Sequence, residues 1–361
     1  MSLRNYRSKR DPARTPEPVP DEELPDVDHT GDERDGRGDR FVIQEHHATA
    51  LHWDIRLQRD GVLVSWAVPK GVPLDPATNH LAKQTEDHPD SYASFSGEIP
   101  KGEYGGGSMT IWDSGTYELE KWSEREVKIV LHGGVVEGRY VFFRTRGADW
   151  MLHRMDPPPA GWSPLPADLR PMRATAGSLP SEDGQWGYEV AWDGARVLVA
   201  VDGGRLTVTD SDGADVTASY PELRGLGLQL GSRQALLDGE IVAFGPDGSV
   251  SPQVLRDRVA AEKPRPALVK KNPVQLLLSD ILHLEGHALL EAAYSERRAA
   301  LESLELQGDH WQVPDSFPGN GSAVLQAARA QGLKGILAKR QDSPYRPGRR
   351  TRDWLLVKKA R

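Results

Sequence analysis

The segment HHATALHWDIRL, residues 46–57, places three side chains that could perform chemistry at alternate positions. His52, Asp54 and Arg56 are two residues apart from one another, and apolar residues stand between them. Because alternate side chains of a β-strand share a face, a strand here would carry an imidazole, a carboxylate and a guanidinium in a row about 13 Å long. With His46 added, two imidazoles and one carboxylate form a ligand set that suits Mn²⁺ or a related divalent ion. The alternative is the solvated outer face of an ordinary strand.

Phosphate binding is the second chemistry that these residues indicate. Arg56 could make a bidentate contact with a phosphate bound to the ion. The later segment EDHPDSY supplies His88 as a proton donor and Tyr92 as a neutral hydrogen-bond donor. Most of the 11 histidines precede residue 160, so the sequence predicts this site in the first half of the chain.

Length and composition limit the classes of protein that remain. A chain of 361 residues predicts two domains. The absence of cysteine excludes disulfides, a thiolate nucleophile and a cysteine zinc site. A net charge of −8 argues against a protein that coats nucleic acid through overall positive charge. Without an apolar run of roughly 20 residues or a segment of signal-peptide type, we expect a cytoplasmic, nucleoid-associated protein with no membrane partner.

The elements that must position the site divide the chain into four parts. Residues 1–40 contain few large apolar residues and predict a largely flexible arm. Residues 41–156 read as short alternating strands with glycine-rich turns, which predicts a small β-barrel. Residues 157–170 are proline-rich and predict a linker. Residues 171–361 mix strands with helical spacing in YSERRAALESL and SAVLQAARAQG, so the fold class is α+β with two domains.

The first half resembles the 3′-phosphoesterase domain of bacterial DNA ligase D, an end-joining repair enzyme. The resemblance is carried by the strings KRDPARTPEP, FVIQEHHATALHWDIRL, WAVPKG, EDHPDSY and GEIPKGEYGGG. It implies three sets of roles: Mn²⁺ ligands His46, His52 and Asp54; phosphate-contacting and catalytic residues Arg56, His88, Tyr92 and Lys70; and supporting residues Arg10, Asp11 and Glu17. His80 stands where the family usually has an arginine that contacts a phosphate.

The same resemblance implies a reaction and its partners. A terminal ribonucleoside is removed from a primer strand, and the 3′-phosphate that remains is hydrolysed to a 3′-OH. The expected substrates are therefore DNA 3′ ends on a primer-template. Ku and an active DNA ligase or polymerase of end joining are the further partners that the family implies.

The second half resembles the adenylation domain of ATP-dependent DNA ligases, a nucleotidyltransferase-like fold. The matching strings are YEVAWDGARVL, LLDGEIVAF, KGILAKR and SPYRPGRRTRDWLLVKK. Ala191 stands where the family has its nucleophilic lysine, and Lys334 stands where it has a glutamate. A methyl group cannot form a phosphoramidate, so we expect no use of ATP and no ligase activity. The oligonucleotide-binding (OB) domain that follows in working ligases is also not expected here.

Other residues of the ligase-like site are kept in the sequence: Asp193, Arg196, Glu240, Lys339 and Lys358. They are either relics of the fold or a surviving pocket for nucleotide or DNA phosphate. Residues 334–361, the basic C-terminal segment, carry a strong excess of Lys and Arg, which favours DNA contact. Two rival functions stay open. One is a non-enzymatic scaffold that binds DNA ends, and the other is a nucleotidyltransferase that uses another lysine.

Overall fold

The computed structural model describes residues 3–20 and 40–358, and the contacts divide the chain into two compact units, residues 1–160 and 161–361. The described residues of the first unit form one short helix, ten strands and a 3₁₀ turn. They are α1 (Leu3–Ser8), β1 (Arg40–His47), β2 (Leu51–Arg59), β3 (Val62–Val68), β4 (Asn79–Gln84), β5 (His88–Pro89), the 3₁₀ turn (Asp90–Ser94), β6 (Gly97–Ile99), β7 (Gly107–Trp122), β8 (Glu126–Gly133), β9 (Glu137–Arg146) and β10 (Asp149–Arg154).

Eight antiparallel strands of the first unit close into a barrel, which confirms the predicted fold. The order is β1-β2-β3-β4-β10-β9-β8-β7, and β7 pairs back onto β1. The short strands β5 and β6 pair with β3 and β7. Large side chains fill the barrel core, where the rings of Trp66 and Phe142 stack with centroids 4.5 Å apart.

Strand β2 shows the alternation that its sequence predicts. Trp53 and Ile55 belong to the core cluster, and the polar side chains lie on the opposite face. That face is not solvated, because Asp54 is 5% exposed and Arg56 is 1% exposed. The alternative of an ordinary outer face is therefore wrong for these two residues.

Residues 3–20 differ from the flexible arm that the composition predicted. Leu3 and Tyr6 of α1 are buried with the barrel core, and the Tyr6 hydroxyl donates a hydrogen bond to the carbonyl of Pro18 at 2.8 Å. Few apolar side chains suffice here because charged groups of this segment pair with the barrel, as described below. The rest of the predicted arm, residues 21–39, lies outside the described residues.

The second unit is α+β, with 12 strands, five helices and three short 3₁₀ turns among its described residues. The strands are β11 (Arg173–Gly177), β12 (Trp186–Ala191), β13 (Ala195–Asp202), β14 (Arg205–Asp210), β15 (Ala235–Ala243), β16 (Val274–Leu284), β17 (His287–Ala288), β18 (Gln307–Gly308), β19 (Trp311–Gln312), β20 (Phe317–Pro318), β21 (Gly335–Arg340) and β22 (Arg350–Lys358). The helices are α2 (Arg224–Leu230), α3 (Pro252–Val259), α4 (Pro266–Lys271), α5 (Tyr294–Glu302) and α6 (Gly321–Ala330), and the 3₁₀ turns are Asp183–Gln185, Thr217–Ser219 and Pro221–Leu223.

These strands form two sheets. One has the order β11-β22-β21-β12-β20, and the other has the order β14-β13-β15-β16-β19-β18 with β17 paired to β16. Helices α5 and α6 lie in the two segments whose spacing predicts helices. The predicted linker, residues 157–170, is too long at its C-terminal end. Leu165 and Leu169 pack against a core cluster of the second unit that contains Met172. No helix in the described part of the chain is both long and apolar enough to cross a membrane.

Candidate metal and phosphate site

Strands β1 and β2 bring the three predicted metal ligands together. His46 lies directly opposite His52 in the antiparallel register, and Asp54 follows on the same face of β2. One ligand atom from each residue lies within 4.8 Å of the other two. His46 Nδ1 is 3.7 Å from Asp54 Oδ2, and His52 Nε2 is 3.7 Å from Asp54 Oδ1. Two imidazole nitrogens and a carboxylate therefore converge on one point.

Backbone carbonyls orient the two imidazoles. His46 Nε2 lies 2.8 Å from the oxygen of Gly105, and His52 Nδ1 lies 3.0 Å from the oxygen of Ala50. When these nitrogens donate their protons to the carbonyls, His46 Nδ1 and His52 Nε2 carry the lone pairs that face Asp54. Anchoring of the far nitrogen is the usual support for a histidine metal ligand. The donor set and its support therefore fit a divalent ion.

Arg56 is fixed beside this cluster by three hydrogen bonds. It donates to Gln44 Oε1 at 2.6 Å, to Ser65 Oγ at 3.0 Å and to Asp54 Oδ2 at 2.9 Å. Burial alone would raise the pKa of Asp54, but the positive charge of Arg56 holds it well below its usual range. Asp54 is therefore a carboxylate at neutral pH.

His88 is buried at the start of β5, and it lines the same cavity as the predicted metal ligands. Its Nδ1 lies 2.8 Å from the oxygen of Glu86, which leaves Nε2 as a proton acceptor when Nδ1 donates. Burial, followed by the positive charges of Arg56 and Arg10, holds the pKa of His88 well below its usual value. The resting imidazole is therefore neutral.

Residues 3–20 cover this cavity and contribute two of the predicted supporting residues. Glu17 Oε1 accepts hydrogen bonds from the Tyr92 hydroxyl at 2.9 Å and from Arg10 Nε at 2.8 Å. Arg10 Nη1 also donates to Glu86 Oε1 at 3.1 Å. Asp11 has a more local role, because its exposed carboxylate accepts a hydrogen bond from the backbone of Ala13 within the turn.

The cavity has a volume of about 200 Å³ and unites most of the predicted residues. Its lining includes Arg10, Glu17, His46, His52, Asp54, Arg56, His88 and Tyr92. Among the described residues, neither Lys70 nor His80 lines this cavity. Lys70 is exposed in the turn after β3, and His80 Nδ1 lies 2.7 Å from the oxygen of Gly71.

Four residues of the site were not predicted from the sequence: Gln44, Ser65, Glu86 and Tyr104. Gln44 precedes His46 by two positions, so the alternation that marked β2 would have found it on β1. Ser65 lies opposite Arg56 across the β2–β3 pair, a register that no local pattern reveals. Glu86 opens the EDHPDSY segment, two residues before His88. Its partner Arg10 lies 76 positions away, so no local pattern reveals their contact.

A second cavity, in the second unit, contains the ligase-like positions. Its lining includes Glu189, Ala191, Asp193, Arg196, Glu240, Arg298 and Lys334. Ala191 is the last residue of β12 and places a methyl group at the wall. Lys334 forms an ion pair with Asp193, and Glu240 accepts a hydrogen bond from the backbone of Gly194 at 2.6 Å. Arg298 lies 3.6 Å from Glu189, so two pairs of opposite charges at this pocket contact each other.

Lys339 is buried, which does not fit the predicted contact with DNA. Its Nζ donates to the oxygen of Ser279 at 2.9 Å and lies 3.0 Å from Glu189 Oε2. It also stands 4.3 Å from the ring centroid of Trp354. The reason for the difference is that Lys339 points from β21 into the interior, whereas Lys358 is exposed at the end of β22.

Ion pairs also reduce the charge that the basic C-terminal segment presents. Arg340 lies 2.7 Å from Asp342, and Arg346 lies 2.6 Å from Glu291. Exposed arginines remain at positions 349, 350 and 352. The basic surface is therefore smaller than the sequence alone suggests, and residues 359–361 lie outside the described part.

Comparison with known proteins assigns a family to each unit. Residues 44–144 match the DNA ligase D 3′-phosphoesterase domain, and residues 172–358 match the ATP-dependent DNA ligase domain. The multifunctional non-homologous end joining protein LigD of Mycolicibacterium smegmatis is 43% identical over 98% of this chain and 45% of its own length.

Two further relatives are similar over the same extent. The non-homologous end joining DNA repair protein LigD of Mycobacterium tuberculosis is 42% identical over 98% of this chain and 44% of its own length. The LigD protein of Pseudomonas aeruginosa is 32% identical over 99% of this chain and 47% of its own length. The chain thus spans about half the length of the curated relatives it matches.

Proposed function

The chain belongs to the DNA ligase D family, and we propose that its first unit is a Mn²⁺-dependent 3′-end phosphoesterase of DNA double-strand break repair. The observation that carries the proposal is the convergence of His46, His52 and Asp54 beside a guanidinium that three hydrogen bonds hold in place. The proposed substrates are DNA 3′ ends that carry a phosphate or a terminal ribonucleoside.

His46, His52 and Asp54 would hold the ion, which would polarise a phosphoryl oxygen and activate water when bound. Arg56 uses three of its five N–H donors on Gln44, Ser65 and Asp54. One N–H on each Nη remains to donate to a phosphate oxygen. Because the guanidinium plane is already fixed, it can stabilise negative charge on the phosphate without reorganisation.

His88 and Glu17 complete the machinery. Since the resting His88 imidazole is neutral, Nε2 can take a proton from the attacking water and return it to the departing oxygen. Glu17 holds Tyr92 and Arg10 in one network at the cavity edge. Burial raises the pKa of Tyr92, so its hydroxyl stays protonated and serves as a neutral hydrogen-bonding group.

The test is release of inorganic phosphate from a 3′-phosphorylated primer by the full chain with Mn²⁺. We expect His52→Ala to lower the rate by more than about 10²-fold, because a lost ligand misplaces metal and phosphate together. His47→Ala is the matched control, since the neighbouring ring contacts Glu45 and does not line the cavity. Absence of phosphate release by wild type would favour the non-enzymatic scaffold. Release that neither His52→Ala nor chelation lowers would contradict the metal-site assignment.

For the second unit we propose binding of DNA or a partner protein, with no use of ATP. Ala191 offers no amine for adenylylation, and Lys334 is engaged by Asp193. Lys334 nevertheless lines the same pocket as Ala191, so a nucleotidyltransferase that uses another lysine is the second candidate. Label transfer from α-labelled ATP to wild type, and its loss in Lys334→Ala, would establish that candidate. A cytoplasmic, nucleoid-associated location and association with Ku and an active end-joining ligase or polymerase belong to the same proposal.

A further inference from the structure

Tyr104 is the exposed aromatic residue of the candidate metal and phosphate site. It lies in the GEYGGG segment between β6 and β7, it lines the cavity, and it is 47% exposed. The side chains that would contact metal and phosphate, such as Asp54, Arg56 and His88, are almost completely buried. Tyr104 therefore marks the mouth of the cavity, where it presents an aromatic surface to solvent.

The ring of Tyr104 is held in place by neighbouring cations. Lys9 Nζ donates to its hydroxyl at 3.1 Å and lies 4.3 Å from the ring centroid. Lys9 is itself anchored by Glu86 at 3.0 Å, and the guanidinium of Arg10 lies 5.3 Å from the same centroid. A ring that is fixed before a ligand arrives loses little conformational entropy on binding.

The backbone next to Tyr104 connects this ring to the metal ligands. Gly105 supplies the carbonyl oxygen that lies 2.8 Å from His46 Nε2. The ring therefore has a defined position relative to the imidazole that would hold the ion.

The size of the cavity determines which part of a substrate it admits. At about 200 Å³ it is smaller than the roughly 300–1,000 Å³ of pockets that enclose drug-sized ligands. It has room for a phosphoryl group, whereas the nucleoside that carries the phosphate must extend through the mouth. We propose that Tyr104 stacks on the base of the terminal nucleotide at the DNA 3′ end. The proposal rests on the function proposed above and names the nucleobase contact that the site makes.

Stacking of this kind has a recognisable energetic signature. Every base has a π-face, so an aromatic platform tolerates all sequences, and truncation to alanine weakens binding by roughly 5- to 150-fold per base. The contact is absent when the terminal nucleotide has no base. An abasic end therefore separates stacking from every other role of Tyr104.

The experiment compares wild type, Tyr104→Ala and Tyr104→Phe as full chains with Mn²⁺ on two 3′-phosphorylated primers. One primer ends in an ordinary nucleotide and the other in an abasic tetrahydrofuran residue. On the ordinary end we expect Tyr104→Ala to raise KM at least about fivefold with little change in kcat. On the abasic end we expect no rise in KM. Tyr104→Phe should raise KM much less than Tyr104→Ala does, because it keeps the ring and its contacts with Lys9 and Arg10 and loses only the hydroxyl.

Three outcomes would overturn the inference. They are an equal loss on both primers, a loss in Tyr104→Phe as large as in Tyr104→Ala, and no effect of either variant. A terminal 2-aminopurine, read by fluorescence without metal, reports stacking in the absence of turnover. If wild type is inactive yet quenches this probe and Tyr104→Ala does not, the proposed function fails while the stacking contact stands. If wild type is active but its quenching equals that of Tyr104→Ala, only the stacking contact fails.

Discussion

The two units each contain a cavity surrounded by charged side chains, but the groups at the two walls are directed differently. In the first unit, backbone carbonyls bind the outer nitrogens of His46 and His52, so the inner nitrogens face Asp54. Both walls contain ion pairs, such as Arg56 with Asp54 in the first unit and Lys334 with Asp193 in the second, but in the first unit two imidazole lone pairs are also directed at one point. The comparison shows that the number of charged residues at a pocket says less about chemistry than the direction of their free lone pairs and donors.

The largest expected effect concerns the stability of the second unit. Lys339→Met would leave Glu189 with Arg298, at 3.6 Å, as its remaining cationic partner, and breaking a buried pair costs up to about 3–5 kcal/mol of unfolding free energy. Differential scanning calorimetry should show a lower transition for the second unit alone, with unchanged phosphate release. Lys358→Met is the matched control at an exposed position, where we expect a change within about 0.5 kcal/mol. Equal effects of the two substitutions would mean that Lys339 is not buried.

The next effect concerns the candidate metal ligands of the first unit. Asp54→Asn keeps the shape of the side chain but removes the charge that balances Arg56 and that would bind the ion. We expect phosphate release to fall by more than about 10²-fold and the Mn²⁺ concentration for half-maximal rate to rise. An unchanged Mn²⁺ titration would remove Asp54 from the metal site.

A smaller effect is expected for the segment that covers the cavity. Glu17→Gln should loosen Tyr92 and Arg10 together, because both donate to Glu17 Oε1. Displacement of positioned groups by about 1 Å can cost up to about 10²-fold, so we expect a loss of about 10-fold or more in kcat. A kinetic comparison with Tyr92→Phe checks the network: if Glu17 acts through Tyr92, the double variant should be no slower than the slower single variant. Additive losses would show that Glu17 acts independently.

The smallest effect tests the second unit as a DNA-binding module. Arg352→Ala removes one exposed positive charge from the basic C-terminal segment. Affinity for duplex DNA should weaken modestly, and the slope of log affinity against log salt should decrease by about 1. Fluorescence anisotropy at several salt concentrations measures both quantities. An unchanged slope would instead assign this surface to a protein partner.

Part of this picture could be predicted from the sequence because it depends on local periodicity. The alternation in β2 placed Asp54 and Arg56 on one face, and helical spacing indicated α5 and α6. The cover over the cavity could not be predicted from composition, which resembles an unfolded arm, because its contacts, such as that between Arg10 and Glu86, span 76 positions. Only the family resemblance implied supporting roles for Arg10 and Glu17.

The burial of Lys339 shows the opposite limitation. It lies among many basic residues, so its charge suggested a solvent-exposed surface that contacts phosphates. The pairing of β21 with β12 brings Glu189 close to it, and strand order determines that contact. Local sequence therefore predicted which residues could carry out chemistry, whereas tertiary contacts decide which of them face a ligand.

One assay of the full chain tests the central claim that the chemistry resides in the first unit. The protein is incubated with Mn²⁺, a 3′-phosphorylated primer and α-labelled ATP, and phosphate release and protein labelling are measured together for wild type and His52→Ala. We expect wild type to release phosphate, His52→Ala to release none, and neither protein to acquire label. Labelling of the wild-type protein, or phosphate release that survives both chelation and the His52→Ala substitution, would contradict this expectation.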